Sequence, residues 1–267
     1  MTFRKILSLV IIMALLPIAA FSQKDKKGTV KDSREYVDLG LPSGTLWATC
    51  NIGASKPEEF GLYFAWGETQ GYTSDASDEH QFIEGNYKWL ETDCTNPVLM
   101  KYCISWSGII DNKKELDPED DAATVNWGRK WQMPSLEQIK ELCDSTYTTA
   151  EWTTLNGVNG RKITSKKNGN SIFLPATFFT RFPKSTPIHS PEGAYWSRTL
   201  YTDDSDAVSL YFFKNVSFFD SHTPRYHGLS VRPVRTQKQK SGKKKIDKNE
   251  TEEDVFMMVP VEVPLPK

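Results

Sequence analysis

The chain has 267 residues, with 33 basic and 34 acidic side chains and a formal net charge of −1. This balance excludes a protein whose overall field attracts nucleic acid or an anionic membrane. Aromatic residues make up 12% of the chain, alongside 16 glycines and 15 prolines, which favours a loop-rich β or α+β domain over a helical bundle.

The N-terminus predicts export. Arg4 and Lys5 precede a mainly apolar run over residues 6–20, and small residues come just before Gln23. This pattern is typical of a cleaved signal peptide, here residues 1–22. A retained membrane anchor is the alternative, but the run is shorter than the roughly 20 residues that cross a bilayer. We therefore expect a mature protein without a transmembrane span, in the periplasm, at the outer cell surface or outside the cell.

Export makes the four cysteines candidates for disulfide bonds. Cys94 and Cys103 flank a short Asn-Pro turn, which favours a local bridge between them. Cys50 and Cys143 both lie in segments with a core pattern, so they either pair or remain as two buried thiols. The cysteine spacings of zinc sites are absent from the sequence.

The composition changes along the chain predict one folded domain. Residues 23–34 form a charged linker, and the apolar pattern of a single core runs over residues 35–235. Residues 236–267 begin with a basic block followed by an acidic one, which predicts a flexible charged tail.

In the first half of the domain, strands are predicted over residues 35–39 and 46–52, on either side of a Pro-Ser-Gly turn. A helix is predicted to begin at Asp117-Pro118 and to end at Gly128. A second helix is predicted after Pro134, where Ser135 and Gln138 have the spacing of a capping box.

The second half is predicted to be mostly strands. Residues 161–164 and 171–174 flank Asn168-Gly169, which predicts a tight hairpin. Further strands are predicted at 195–200, 207–213 and 216–219, with a closing strand at 229–234. Two short helices among many short antiparallel strands predict a single α+β domain.

Six blocks occur in an order typical of one protein family: EYVDLGLPSGTLWATCNIGA, FGLYFAWGET, DDAATVNWGRKWQMPS, NGVNGRKITSKKNGNSIFLPA, AYWSRTL and GLSVRPVR. They resemble the Fibrobacter succinogenes major paralogous domain (FISUMP), related to the DUF1566 group and common in secreted and surface proteins of Bacteroidetes-type bacteria. The resemblance covers residues 35–235. It implies a C-type-lectin-like fold, shared with the core of formylglycine-generating enzymes, and related adhesins bind host polysaccharide.

Catalysis is not expected. The formylglycine-generating relatives bind copper through a late pair of cysteines, whereas the last cysteine here is Cys143. The four histidines, His80, His189, His222 and His227, fall in polar segments without a known catalytic spacing.

Calcium is the one metal for which the sequence offers candidate ligands. Asp203, Asp204 and Asp206 cluster in one predicted loop, and carboxylate oxygens are calcium ligands. The Glu-Pro-Asn and Trp-Asn-Asp signatures of calcium-dependent sugar binding are absent. Two interpretations therefore stay open, a calcium site or a polar hairpin tip, and no other cofactor is expected.

Binding residues are predicted in the last third of the domain, on loops between strands, where recognition residues concentrate. The candidates are Arg198, Asp203, Asp204, Asp220, His222, Arg225, Tyr226 and His227. Other residues have predicted structural roles. Arg232 is expected to pair with Asp38 and so tie the closing strand to the opening one. Four tryptophans within the family blocks are expected in the core: Trp47, Trp127, Trp131 and Trp196.

The sequence therefore predicts an exported, non-catalytic binding or adhesion module for a glycan or a surface protein, acting through loops over residues 201–227. The alternative is a structural or assembly component of the bacterial cell surface that takes no small ligand. A carbohydrate-active enzyme ranks last. The sequence leaves the ligand's identity and the oligomeric state open.

Overall fold

The computed structural model describes residues 34–73, 80–92, 96–105, 108–177, 180, 191–214 and 219–236, with the backbone alone at 219 and 220. The predicted signal peptide and nearly all of the predicted linker and tail lie outside these residues, as do Cys94 and His189. In the part of the chain that is described, no helix has both the length and the apolar character needed to cross a membrane.

The described residues form an α+β structure made mostly of short strands. The helices are α1 (Ala122–Trp127) and α2 (Leu136–Cys143), with one 3-10 turn at Glu84–Asn86. The strands are β1 (Tyr36–Asp38), β2 (Thr45–Ala48), β3 (Tyr63–Phe64), β4 (Leu90–Glu91), β5 (Val98–Leu99), β6 (Thr148–Leu155), β7 (Val158–Ser165), β8 (Ser171–Pro175), β9 (Glu192–Leu200), β10 (Asp206–Phe213), β11 (Phe219–Pro224), β12 (Leu229–Ser230) and β13 (Val234–Thr236).

These strands form four small sheets. The largest has the order β11-β10-β9-β12-β3, and the others are β1-β2-β13, β6-β7-β8 and β4-β5. The strands pair antiparallel throughout, apart from a parallel contact between β9 and β12. Because β13 pairs with β2, the last described strand closes a sheet with the first two.

The tryptophans with predicted structural roles lie in and around the core. Trp47, Trp131 and Trp196 are each at most 1% exposed. Trp127 is half-buried, with its ring edge-to-face against Trp131 at 5.1 Å between centroids. The guanidinium of Arg34 lies 5.0 Å from its ring centre.

Helix α2 confirms the predicted capping box. The Ser135 hydroxyl accepts from the Gln138 amide, and the Gln138 side chain accepts from the Ser135 amide. Both contacts are local, so the sequence pattern alone determines them.

The predicted start of the first helix is wrong, although it ends at Gly128 as expected. Helix α1 begins at Ala122 with Asp121 as its cap, while residues 117–120 form a turn. The carboxylates of Asp117 and Asp120 are bound by Lys101, at 2.7 and 2.6 Å. These ion pairs with a distant segment hold the acidic residues outside the helix that their local pattern favours.

The hairpin at Asn168-Gly169 is confirmed, but the tighter turn is at a second Asn-Gly pair. Asn156 and Gly157 both have positive φ, +48° and +86°, and join β6 to β7 with Leu155 opposite Val158. This is the two-residue hairpin that such a pair favours. The sequence prediction missed β6, although this turn was the available signal.

Two predicted strands differ from the structure. The third strand of the meander was expected at 216–219, but β11 spans Phe219–Pro224 and therefore includes His222, which the sequence assigns to a loop. The closing strand divides into β12 and β13, which pair with different sheets, and Pro233 lies in the break between them.

The structure does not form the bridge that was left open between Cys50 and Cys143, and it does not test the predicted bridge between Cys94 and Cys103. Cys50 and Cys143 are not bonded to each other, and the described residues contain no disulfide. The other predicted bridge involves Cys94, outside the described residues. Its predicted partner, Cys103, donates its thiol proton to the carbonyl of Ser105 and to the carboxylate of Asp204, both at 3.2 Å.

The predicted Arg232–Asp38 pair is wrong. Arg232 is 1% exposed and donates to the Asn51 side chain at 2.8 Å and to the carbonyls of Ala48 and Thr49. Burial lowers the pKa of Arg232. Asp38 accepts instead from the amide of Gly40 at 2.7 Å. Because β2 lies between β1 and β13, the closing segment meets the end of β2 rather than β1.

Candidate functional site

The loop over residues 201–206 joins β9 to β10 and has a compact, internally bonded backbone. The Tyr201 amide donates to the Asp206 carbonyl at 3.2 Å, and the Asp206 amide donates to the Asp203 carbonyl at 3.0 Å. The Asp203 carboxylate accepts from the amide and hydroxyl of Ser205, at 3.1 and 2.9 Å. An aspartate that bonds two residues ahead in this way fixes a turn.

Asp204 points inward from this loop and is 2% exposed. Its carboxylate accepts from the Ser105 hydroxyl at 2.6 Å, from the Ser105 amide at 2.7 Å and from the Ile104 amide at 3.1 Å. Burial opposes ionisation, but the hydrogen bonds from Ser105, Ile104 and Cys103 outweigh it and lower the pKa of Asp204. The side chain thus joins two loops about a hundred residues apart in the sequence.

Arg225 also stabilises the 201–206 loop, and its side chain is almost fully buried, at 1% exposed. Its guanidinium donates to the Tyr87 hydroxyl at 2.9 Å and to three backbone carbonyls, of Lys101 at 2.9 Å, Tyr102 at 3.2 Å and Asp204 at 3.0 Å. Its backbone amide donates to the Ser205 carbonyl at 3.1 Å. We call Asp204, Arg225, Tyr87 and the backbone of residues 101–105 the buried network.

A second, partly exposed group of side chains lies at this loop and on the neighbouring strand β11. The rings of Tyr201 and His222 stack with centroids 4.2 Å apart and planes 13° apart. His222 Nδ1 lies 2.5 Å from the Asp206 carboxylate, and the His222 side chain is 50% exposed. We call Tyr201, Asp203, Asp206 and His222 the exposed cluster.

Strand register explains how the cluster forms. In the pairing of β10 with β11, Asp206 is opposite Pro224 and Val208 is opposite His222. Asp206 and His222 are therefore diagonal neighbours on one face of the ladder, within reach of long side chains. Strand β11 is the outermost of its five-stranded sheet, so His222 stands at the sheet edge.

The contact with Asp206 determines what His222 can offer a ligand. A neutral ring that donates from Nδ1 to the carboxylate keeps a lone pair at Nε2, and a protonated ring has a second N–H there. Nε2 makes no hydrogen bond to any residue that the structure describes. It is therefore a polar atom whose orientation is fixed by the Asp206 contact and by the stack on Tyr201.

The remaining predicted binding residues lie elsewhere. Arg198 donates to Glu115 at 2.8 Å and to the Met133 carbonyl at 3.0 Å, which positions the segment before α2. Tyr226 is half-buried against the aromatic group around Phe82, and His227 is 5% exposed. The Asp220 side chain lies outside the described residues.

The residues predicted to bind a ligand therefore fall into an exposed group and a buried group. Asp203 and His222 belong to the exposed cluster, whereas Asp204 and Arg225 form the buried network. The set lacks Tyr201 and Asp206, which complete the cluster. Their contacts with His222 depend on the pairing of β10 with β11. The sequence did not predict this pairing, because it placed the third strand of the meander at 216–219.

The three aspartates considered for calcium do not converge. Asp204 is turned into the protein, Asp206 engages His222, and Asp203 bonds Ser205. Within the described ranges, no group of three or more histidine, cysteine, aspartate or glutamate side chains is placed to hold a metal ion.

The Asp206–His222 pair also resembles part of a hydrolytic triad, in which a carboxylate orients a histidine. A nucleophile must then hydrogen-bond the histidine. Among the described residues, no serine, threonine or cysteine makes that bond to His222.

Comparisons with protein-family models, with curated proteins and with solved structures found no match to the chain. The resemblance to the FISUMP domain therefore remains a prediction from the sequence blocks. Function is inferred below from the exposed cluster and its support.

Proposed function

We propose that the protein is an exported, non-catalytic adhesion module that binds a glycan through the exposed cluster. One observation carries this proposal. A half-exposed stack of Tyr201 on His222 lies where the 201–206 loop meets the edge strand β11, and a buried arginine and a buried aspartate hold that loop in place.

The chemistry of the cluster suits sugars. Carboxylates and an imidazole nitrogen can satisfy neighbouring hydroxyls, and an aromatic ring covers the C–H face of a pyranose. The two carboxylates, Asp203 and Asp206, disfavour an anionic glycan by like-charge repulsion. We therefore expect a neutral or amino-sugar glycan rather than a uronate or sialylated one.

The support beneath the loop favours binding because it lowers the entropic cost. A loop that is already ordered loses little freedom when a ligand arrives. Here the Asp204 carboxylate and the Arg225 guanidinium fix the loop backbone before any ligand is present. The predicted signal peptide, the predicted lectin-like fold and the family resemblance support a role at the cell surface.

A glycan array probed with the full mature chain tests the proposal. We expect binding to neutral or amino-sugar glycans, weakened about tenfold in His222→Ala and in Asp206→Asn, because each removes about one hydrogen bond and its orientation. Lys130→Met is a matched control, since Lys130 is exposed and distant in sequence from the loop. It should bind like the wild type.

The rival function is a structural component of the cell surface without a small ligand. Absence of binding to every glycan, together with a stable protein partner in cell-envelope pull-downs, would favour that rival. Binding that survives in both cluster variants would place the glycan site elsewhere on the domain and contradict this assignment.

A further inference from the structure

A separate cleft lies between the β6-β7-β8 sheet and the segment that contains β1 and the residues after β2. Its volume is about 350 Å³, at the lower end of the range typical of small-molecule sites. It is lined by Val37, Thr49, Pro57, Thr153, Thr154, Leu155, Lys162, Ser171, Ile172 and Phe173. None of these residues belongs to the exposed cluster.

Polar contacts join the two layers at both ends of the sheet. At the β6–β7 turn, the Asn156 side chain donates to the Glu58 carboxylate at 2.8 Å. At the β7–β8 turn, the side chains of Asn168 and Asn170 both donate to the Asp38 carbonyl, at 2.9 and 2.8 Å. The layers are therefore fixed at opposite ends of β7, and the cleft lies along the strands between these contacts.

The cleft has an apolar floor. On β7, Arg161 and Ile163 are buried, so Lys162 faces the other side of the sheet, with Phe173 opposite it on β8. A Cβ at Gly160 would lie 2.5 Å from the Phe173 ring. The ring therefore covers the bare backbone of Gly160, and Phe173 is only 7% exposed. An apolar ligand group would meet a formed surface here.

One charged side chain, that of Lys162, lines the cleft. Lys162 is the single charged residue in the lining, and it forms no ion pair with any residue that the structure describes. Glu151 lies opposite it on β6 without such a contact. The hydroxyl side chains of Thr49, Thr153 and Ser171 supply further polar groups.

We propose that this cleft binds a small amphipathic carboxylate. Its apolar body would lie on Phe173 and Leu155, and its carboxylate would pair with Lys162 and the neighbouring hydroxyls. An unpaired ammonium beside an apolar pocket is complementary to such an anion, whereas a cationic or a purely polar ligand gains nothing from it.

Calorimetric titration of the full mature chain with phenylbutyrate and with its matched alcohol, phenylbutanol, tests this inference. We expect saturable binding of the acid and weaker binding of the alcohol. Lys162→Met should weaken binding of the acid about three- to fivefold, as for a partly exposed ion pair, and should leave the alcohol unaffected. Lys130→Met is the control for loss of a lysine elsewhere and should change neither affinity.

Two pocket-filling variants guard against a false result from misfolding. Thr153→Phe and Ser171→Phe each place a ring in the cleft from a different strand, and each should abolish binding of the acid while circular dichroism stays unchanged. The proposal fails if the wild type shows no saturable binding, if acid and alcohol bind equally, or if Lys162→Met matches Lys130→Met. It also fails if a folded pocket-filling variant binds as well as the wild type.

Discussion

The buried network and the exposed cluster, both at the 201–206 loop, have similar chemistry and different exposure to solvent. The buried network combines an aspartate, a basic residue and a tyrosine, namely Asp204, Arg225 and Tyr87. The exposed cluster has the same combination in Asp206, His222 and Tyr201. The polar groups of the buried network bond mainly to backbone and are almost wholly buried. In the exposed cluster, the stack of Tyr201 on His222 is half open to solvent. Access to water, rather than residue type, separates the buried support from the group to which we assign ligand binding.

The largest effect should come from breaking the support. Arg225→Met removes four hydrogen bonds and leaves the carbonyls of Lys101, Tyr102 and Asp204 buried without this donor. Since each unsatisfied buried group costs about 1–3 kcal/mol, we expect a loss of about 3 kcal/mol or more in the free energy of unfolding. Denaturant titration of the purified variant measures it. A loss below about 0.5 kcal/mol, the range of ordinary surface substitutions, would contradict a buried supporting role.

A smaller loss is expected from Asp204→Asn. The amide keeps one acceptor oxygen but places an NH₂ group among the donors from Ser105 and Ile104. Hydrogen bonds to a charged group contribute about 1.5–3 kcal/mol, so we expect the variant to lose about 2 kcal/mol. Comparison of denaturation midpoints at neutral pH, with Lys130→Met as the control, provides the measurement.

The free energy of unfolding of the wild type and that of Asp204→Asn should depend differently on pH. The pKa of Asp204 is lower in the folded protein than its usual 3.8, so its carboxylate stabilises the fold above that pH. The contribution is lost as pH falls below about 4 and through the folded pKa. The stability gap between wild type and Asp204→Asn should therefore narrow between about pH 5 and pH 2. A gap that stays constant over this range would show that charge on Asp204 is not involved.

The smallest effect should come from the exposed cluster. His222→Ala removes one half-exposed contact with the Asp206 carboxylate and one ring stack, and exposed polar pairs contribute roughly 0.2–1 kcal/mol. We expect a change in the free energy of unfolding of about 0.5 kcal/mol, together with the loss of glycan binding described above. A loss comparable to that of Arg225→Met would mean that the cluster is structural, and the contrast between the buried network and the exposed cluster would disappear.

Local patterns predicted the local parts of this molecule. The capping box of α2 and the Asn168-Gly169 hairpin depend on residues a few positions apart, and both form. The predicted start of α1 was wrong, because Lys101 binds the acidic residues that were expected to begin the helix. That contact joins segments that no short-range pattern connects.

The candidate site was harder to predict for the same reason. Whether Asp204 faces inward depends on the backbone amides of Ile104 and Ser105, about a hundred residues earlier. Whether His222 meets Asp206 depends on the register of an edge strand whose sequence, FDSHTP, is too polar to show a clear strand pattern. The sequence located the right region of the chain but could not separate its buried residues from its exposed ones.

The pairing of β13 with β2 has a further consequence for how the module is used. Because β1 and β13 both run antiparallel to β2, the chain enters beside Ala48 and leaves beside Thr45, roughly 14 Å away across two strand spacings and three residues of strand. A domain with neighbouring entry and exit points behaves as a cassette. We expect that it can be inserted into a loop of an unrelated host protein and fold there, while β11 and the exposed cluster remain accessible.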